Sequence, residues 1–261
     1  MTQAVPRPRQ AIALLHYWLP IAVGWSLALL AAHTTGQPLS FSGTVLLMAG
    51  IGAAYSLDRL LDPPGEFPLP TPLTRILLVG ATCFTAAGLV AAWLAPGRLL
   101  PVALGCGIIS LAYPRLKRLP MAKTIAVAFV WTWAALVLPL GGEASPGWIL
   151  GFVEVAPILF LLFASACLLC DLKDVTADRS SAVPSLPARL GIPATCVTAV
   201  LLALAATVLA VLEQRWGLIL TGVALSVAAA FPRFLARPYA GPITIDALFL
   251  IPGILIASGW V

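Results

Sequence analysis

The stretch that decides the fold is Pro157-Ile-Leu-Phe-Leu-Leu-Phe-Ala-Ser-Ala-Cys167-Leu-Leu-Cys170-Asp171-Leu-Lys173-Asp174-Val-Thr-Ala-Asp178. It closes a hydrophobic run over about 147–170, and its apolar character stops abruptly at three carboxylates. A run of that length is what an α-helix needs to cross the hydrocarbon core of a bilayer. The rest of the chain is built the same way. Its 261 residues include only 15 Lys and Arg and 10 Asp and Glu, while 61% are hydrophobic, and the mean hydropathy is +1.01. A soluble domain carries roughly 25% charge. This composition therefore excludes a soluble globular enzyme, a secreted disulfide scaffold and a disordered tail.

Nine candidate spans follow: about 10–32, 40–57, 73–94, 98–113, 122–140, 147–170, 192–212, 216–232 and 242–261. They are separated by turn residues such as Gly36-Gln37-Pro38, Asp62-Pro63-Pro64-Gly65 and Ala95-Pro96-Gly97. Pro20, Pro101, Pro157 and Pro252 are expected to kink their helices. With the N-terminus in the cytoplasm, the basic residues divide 13 against 2, only Arg98 and Arg215 falling outside. That asymmetry is the positive-inside rule, so the net charge of +5 reflects topology and not a nucleic-acid partner. Trp93, Trp148, Trp216 and Trp260 fall at the outer ends, as an interfacial belt does. The five cysteines lie within apolar runs and read as reduced packing residues, the Cys167–Cys170 pair included. No cleavable leader is expected, because the first apolar run is too long.

Half of the acids fall in two clusters, Asp58 with Asp62, and Asp171 with Asp174 and Asp178. Both close an outside-to-inside span. The spacings i, i+4 and i, i+3, i+7 place each cluster on one helix face. Like charges held together near lipid need a counter-charge, and magnesium, which prefers hard oxygen ligands, fits best. A shift of 116 residues maps Asp58 on Asp174, Asp62 on Asp178 and Tyr55 on Asp171. The single domain 1–261 therefore reads as a leading helix, 10–32, followed by two four-helix halves, about 40–140 and 147–261.

These residues resemble the UbiA superfamily of intramembrane prenyltransferases. Asp171-Leu-Lys-Asp174-Val-Thr-Ala-Asp178-Arg179, with the trailing Leu186-Pro187, resembles the second DxxDxxxD motif of that family. Tyr113-Pro-Arg-Leu-Lys117 resembles its YxxxK element. The first motif departs from the family's NDxxDxxxD. Here Ala54-Tyr55 stands in place of Asn-Asp, while Asp58 and Asp62 remain. The resemblance implies an all-α bundle of nine transmembrane helices in a bacterial cytoplasmic membrane, with an apolar cavity opening on the cytoplasmic side. It implies a magnesium-dependent transfer of a prenyl group from a prenyl diphosphate to a membrane-embedded, aromatic acceptor. Asp58, Asp62, Asp171, Asp174 and Asp178 would hold magnesium. Lys117, Arg118, Lys173 and Arg179, with Tyr113, would hold the diphosphate, and Tyr55 would substitute for a lost ligand.

Two alternatives share the fold: a terpene cyclase that needs no acceptor, and a non-catalytic subunit. Acceptor-binding residues, prenyl length and oligomeric state are not specified by the sequence. Trp131 or Trp133 could face a carbocation. His16 and Asp246, polar residues in apolar spans, could orient an acceptor or simply bond a neighbouring helix. Glu154 reads as structural.

Overall fold

A computed structural model of the chain describes residues 7–61, 71–116, 119, 121–141, 146–180 and 183–260. The described residues form helices and turns with no strand. The elements are α1 (Arg7–Thr35), α2 (Phe41–Leu61), α3 (Thr71–Leu94), α4 (Leu100–Leu116), α5 (Ala122–Val137), α6 (Pro146–Cys170), α7 (Val175–Ser180), α8 (Leu186–Leu212), α9 (Trp216–Ala228), α10 (Pro232–Leu235), α11 (Ala240–Leu248) and α12 (Ile251–Ala257). Short 3-10 turns cover Gly97–Leu99, Leu138–Leu140 and Asp171–Asp174.

Six segments are long and apolar enough to cross a membrane: Leu14–Thr35, Leu73–Leu94, Ala122–Leu140, Ile149–Ser180, Leu186–Leu212 and Ala240–Ala257. The other three predicted spans are helical but shorter over their apolar part, at Phe41–Leu57, Gly97–Ser110 and Trp216–Ala228. The outer surface is apolar. Trp93, Leu94, Leu201, Leu212 and Trp260 are each well over half exposed, which suits lipid and not water.

Inside, α6 is the central column. It is flanked by α1, α5, α8, α9 and α11, and Ile158, Leu159, Leu162, Leu168 and Leu169 are fully buried. The α8 helix meets it with Ala199, Ala203, Ala206 and Ala210, all at 0% exposure. Small side chains let two helices approach closely where the hydrophobic effect between them is weak. Ser165 Oγ of α6 then donates to the Ala199 carbonyl at 2.9 Å. The pairs α2–α3 and α1–α2 complete the other side.

The prolines act more variously than the sequence suggests. Pro20 and Pro157 lie inside helices. Pro101 is the second residue of α4, where its missing N–H is not needed, so it opens a helix and does not kink one. Pro252 lies in the first turn of α12, so the last span is split around Phe249 and Leu250. Proline has no N–H to donate to the carbonyl of the residue four positions back; here that is Leu248, whose oxygen accepts from Thr221 Oγ1 at 3.4 Å. Ser26 of α1 serves both segments: its Oγ donates to the Phe249 carbonyl at 2.8 Å and accepts from Gly253 N at 2.9 Å. An unpredicted bend lies at Gly191, whose φ of 84° and ψ of 168° interrupt α8. Only glycine takes that conformation readily.

Candidate functional site

The α6 helix ends at Cys170 and passes directly into a 3-10 turn, so the acids follow the negative end of its dipole. Placing three carboxylates just beyond such an end is unfavourable unless cations compensate. The chain does not continue there as one regular α-helix, as the spacing predicts. Asp171–Asp174 is a 3-10 turn, and α7 follows as a six-residue α-helix. The acids still converge, because residues i and i+3 eclipse in a 3-10 turn and Asp174 and Asp178 are one α-turn apart. Asp174 and Asp178 both lie close enough to act electrostatically on Asp171.

Asp171 is buried, at 3% exposure, and forms an ion pair with Lys123 Nζ at 2.6 Å. Lys123 stands in the first turn of α5, just after Met121, whose left-handed φ of 60° starts that helix. Positive φ is uncommon for a residue with a side chain. Lys173 Nζ binds both carboxylate oxygens of Asp174 at 2.7 Å. Asp178 Oδ2 is buried and has no hydrogen-bond partner among the described residues. Arg179 turns away: it is exposed, and its Nε donates to the Ala188 carbonyl at 3.2 Å.

The remaining predicted site residues are only partly visible. Asp58 lies in α2 and Tyr113 in α4, but their side chains lie outside the described residues, as do Asp62, Lys117 and Arg118 entirely. Among the described residues no three His, Cys, Asp or Glu side chains form a ready-made metal site. Tyr55 is half-buried and its ring meets Trp131 edge-on, with centroids 6.4 Å apart. Trp131 is eight residues beyond Lys123 on α5, about 12 Å of helix rise.

From Trp131 an aromatic series crosses the bundle interior. Trp131 stacks on Phe163 of α6 at 5.3 Å, and Phe163 stacks on Phe249 at 4.5 Å with parallel planes. Trp133 points elsewhere, against Phe152 and Phe129. Two hollows are lined by described residues. One is an apolar groove of about 530 Å³ bounded by Trp18, Ile21, Trp25, Met48 and Phe84. The other, about 50 Å³, lies beside His33, Arg215 and Trp216. Neither is lined by the aspartates.

Lys123 is the site residue that sequence reading missed. It was counted only as a topological charge. Its signal was its place inside the apolar span 122–140, since a lysine there needs a partner.

The chain belongs to the UbiA prenyltransferase family, whose model matches residues 68–243. It is 30% identical over 162 residues to the digeranylgeranylglyceryl phosphate synthase of Methanothrix thermoacetophila; the match covers 59% of this chain and 59% of that relative's length. Among solved structures, a UbiA homologue from Aeropyrum pernix K1 without ligand matches with a TM-score of 0.70 and 20% identity over 92% of this chain and 98% of that one. A UbiA homologue from Archaeoglobus fulgidus, bound to DMAPP and Mg2+, matches with a TM-score of 0.57 and 19% identity over 95% of this chain and 96% of that one.

Proposed function

We propose that this chain is an intramembrane prenyltransferase that moves a prenyl group from a prenyl diphosphate to an acceptor within the membrane, working with magnesium. The observation that carries the proposal is the buried Asp171–Lys123 pair with Asp174 and Asp178 beside it, at the end of an apolar helix. In this reading the chain crosses the membrane nine times, as a leading helix and two four-helix halves. The aspartates lie at the cytoplasmic mouth of an apolar cavity, and Asp58 of α2 and Asp62, next in sequence after α2, complete the cluster.

The donor set suits magnesium. It consists of carboxylate oxygens, and the unpartnered Asp178 Oδ2 is a buried acceptor awaiting a cation. Asp171, Asp174 and Asp178, with Asp58 and Asp62, would hold the ion, and Tyr55 would stand in for the missing acid. Bound magnesium supplies charge neutralisation on the diphosphate leaving group. The chain's own residues do the rest. Lys123 holds Asp171 in the buried position. Lys117, Arg118 and Lys173, with Tyr113, bind the diphosphate oxygens, and Arg179, held at the Ala188 carbonyl, is left out of this set. The rings of Trp131, Phe163 and Phe249, stacked on one another, exclude water from the interior beyond the acids.

The acceptor divides between the aromatic compound implied by the first family resemblance and a glycerol-phosphate lipid, suggested by the Methanothrix relative. The test is release of diphosphate from radiolabelled geranyl diphosphate by the purified protein with magnesium. Asp174→Asn and Asp58→Asn should each abolish it. Unchanged release in both variants would overturn the reading. Cyclic product formed without any acceptor would reassign the chain as a cyclase.

A further inference from the structure

Asp246 is an acid that the proposed donor site does not use. It lies in α11, one turn before Phe249, and it is half-buried. The ion pairs among the described residues engage Asp171, Asp174 and Glu154, and Asp246 has no hydrogen bond or ion pair to a described residue. Its surroundings fix its depth. The carboxylate lies within electrostatic reach of the Cys167 and Cys170 thiols of α6. Phe249, one turn further along, stacks on Phe163, one turn before Cys167.

The two helices therefore build layers in register. The outermost holds Asp171 with Lys123. The next holds Asp246 against the two cysteines. The third holds the stacked rings of Phe163 and Phe249. A prenyl diphosphate with its headgroup at the first layer and its tail among the rings would place its reacting carbon beside the second. A carboxylate without a partner in an apolar layer is costly. It repels an anionic group and favours a neutral hydrogen-bond donor.

We propose that Asp246 is the acceptor-side carboxylate of this site, receiving a neutral hydroxyl of the acceptor and taking its proton as the new bond forms. The proposal rests on the prenyltransferase reading above. In the step, the bond between C1 of the prenyl group and the diphosphate oxygen breaks, and its electron pair leaves on the diphosphate. The acceptor oxygen supplies the pair for the new C–O bond. Its proton passes to an Asp246 oxygen and returns to water after product leaves. An alcohol and a phenol share this chemistry, and the probes below distinguish them.

The test uses the purified full chain, geranyl diphosphate, and two hydroxyl probes: a glycerol-ether lipid with one free hydroxyl, and a membrane-soluble phenol. Whichever probe wild type accepts identifies the source of the hydroxyl. With that probe, Asp246→Asn should lower kcat about 100-fold, a typical effect of losing a general base. The KM for geranyl diphosphate should stay within about threefold, as expected for a group acting only in the transfer step. Asp246→Glu should recover at least about tenfold of the loss. An unchanged kcat in Asp246→Asn overturns the inference, as does an equal loss in both variants with KM raised in parallel. Should Asp246→Asn not fold, Asp246→Ser is read in its place, and an unchanged kcat in that variant overturns the inference. Wild type that binds geranyl diphosphate but transfers to neither probe overturns this inference and leaves the donor site standing. Failure to bind geranyl diphosphate overturns the prenyltransferase reading itself.

Discussion

Two ion pairs reach α6 or its immediate extension, and their geometry is almost the same. Lys123 meets Asp171 at 2.6 Å, and Arg215 meets Glu154 at 2.7 Å. Seventeen residues separate the two acids, about 25 Å if the segment is counted as helix. What distinguishes them is company. Glu154 and Arg215 cancel each other and join α6 to the start of α9. Asp171 shares Lys123 with the fields of Asp174 and Asp178, and Lys173 is engaged by Asp174. Among the described residues three carboxylates face two ammonium groups, which leaves that group negative. A self-neutralising pair is a clasp, whereas an acid-rich group has capacity for a further cation.

The largest expected difference between the two ends is in turnover. Asp174→Asn should reduce diphosphate release by about 100-fold or more, while Glu154→Gln should stay within about twofold, as a change remote from the reacting atoms does. Equal losses in the two variants would erase the distinction. Metal removal comes next: excess EDTA should weaken geranyl diphosphate binding about tenfold or more, because the carboxylates then repel the diphosphate. Isothermal titration with and without magnesium measures this, and an unchanged Kd would count against the metal assignment.

Stability is a gentler probe. Lys123→Met leaves Asp171 enclosed without its cation, at a cost of about 3 kcal/mol. Arg215→Met should cost no more than about 1 kcal/mol, since the acid left behind, Glu154, is more open to solvent than Asp171. Thermal unfolding in detergent compares them, and the reverse order would mean that Asp171 is less dependent on Lys123 than its burial suggests. The smallest effect is expected at Tyr55. Tyr55→Phe removes only a hydroxyl, and if that group assists the diphosphate or its cation, binding should weaken about fivefold, one hydrogen bond's worth. No change would leave the ring's contact with Trp131 as its role.

Helical class and the second acidic cluster were legible because each rests on a local pattern. Apolar length and carboxylate spacing need no knowledge of partners. The Lys123–Asp171 pair was not legible, because it joins residues 48 positions apart and the lysine also served the charge asymmetry. The split last span was misread for a related reason. Pro252 announces a disturbance, but whether a helix bends or breaks depends on what receives the freed groups. Ser26, more than 220 residues earlier, decides that, and nothing near position 252 reveals it. Gly191 was passed over because the predicted span began one residue later, so the bend fell on its boundary. The aromatic series had a local trace in Trp131 and Trp133, two residues apart; which of them turns toward α6 Phe163 depends on tertiary packing.

The double use of Ser26 has a consequence for the order of assembly. During synthesis α1 waits for more than 220 residues before the Ser26 hydroxyl finds Phe249 and Gly253. Until then the last two helical pieces lack the cross-brace that reconciles their broken ends. Docking of α1 on α11 and α12 is therefore a late event. Replacing Ser26 by alanine would leave each piece helical while loosening the seam between α1 and the junction of α11 with α12.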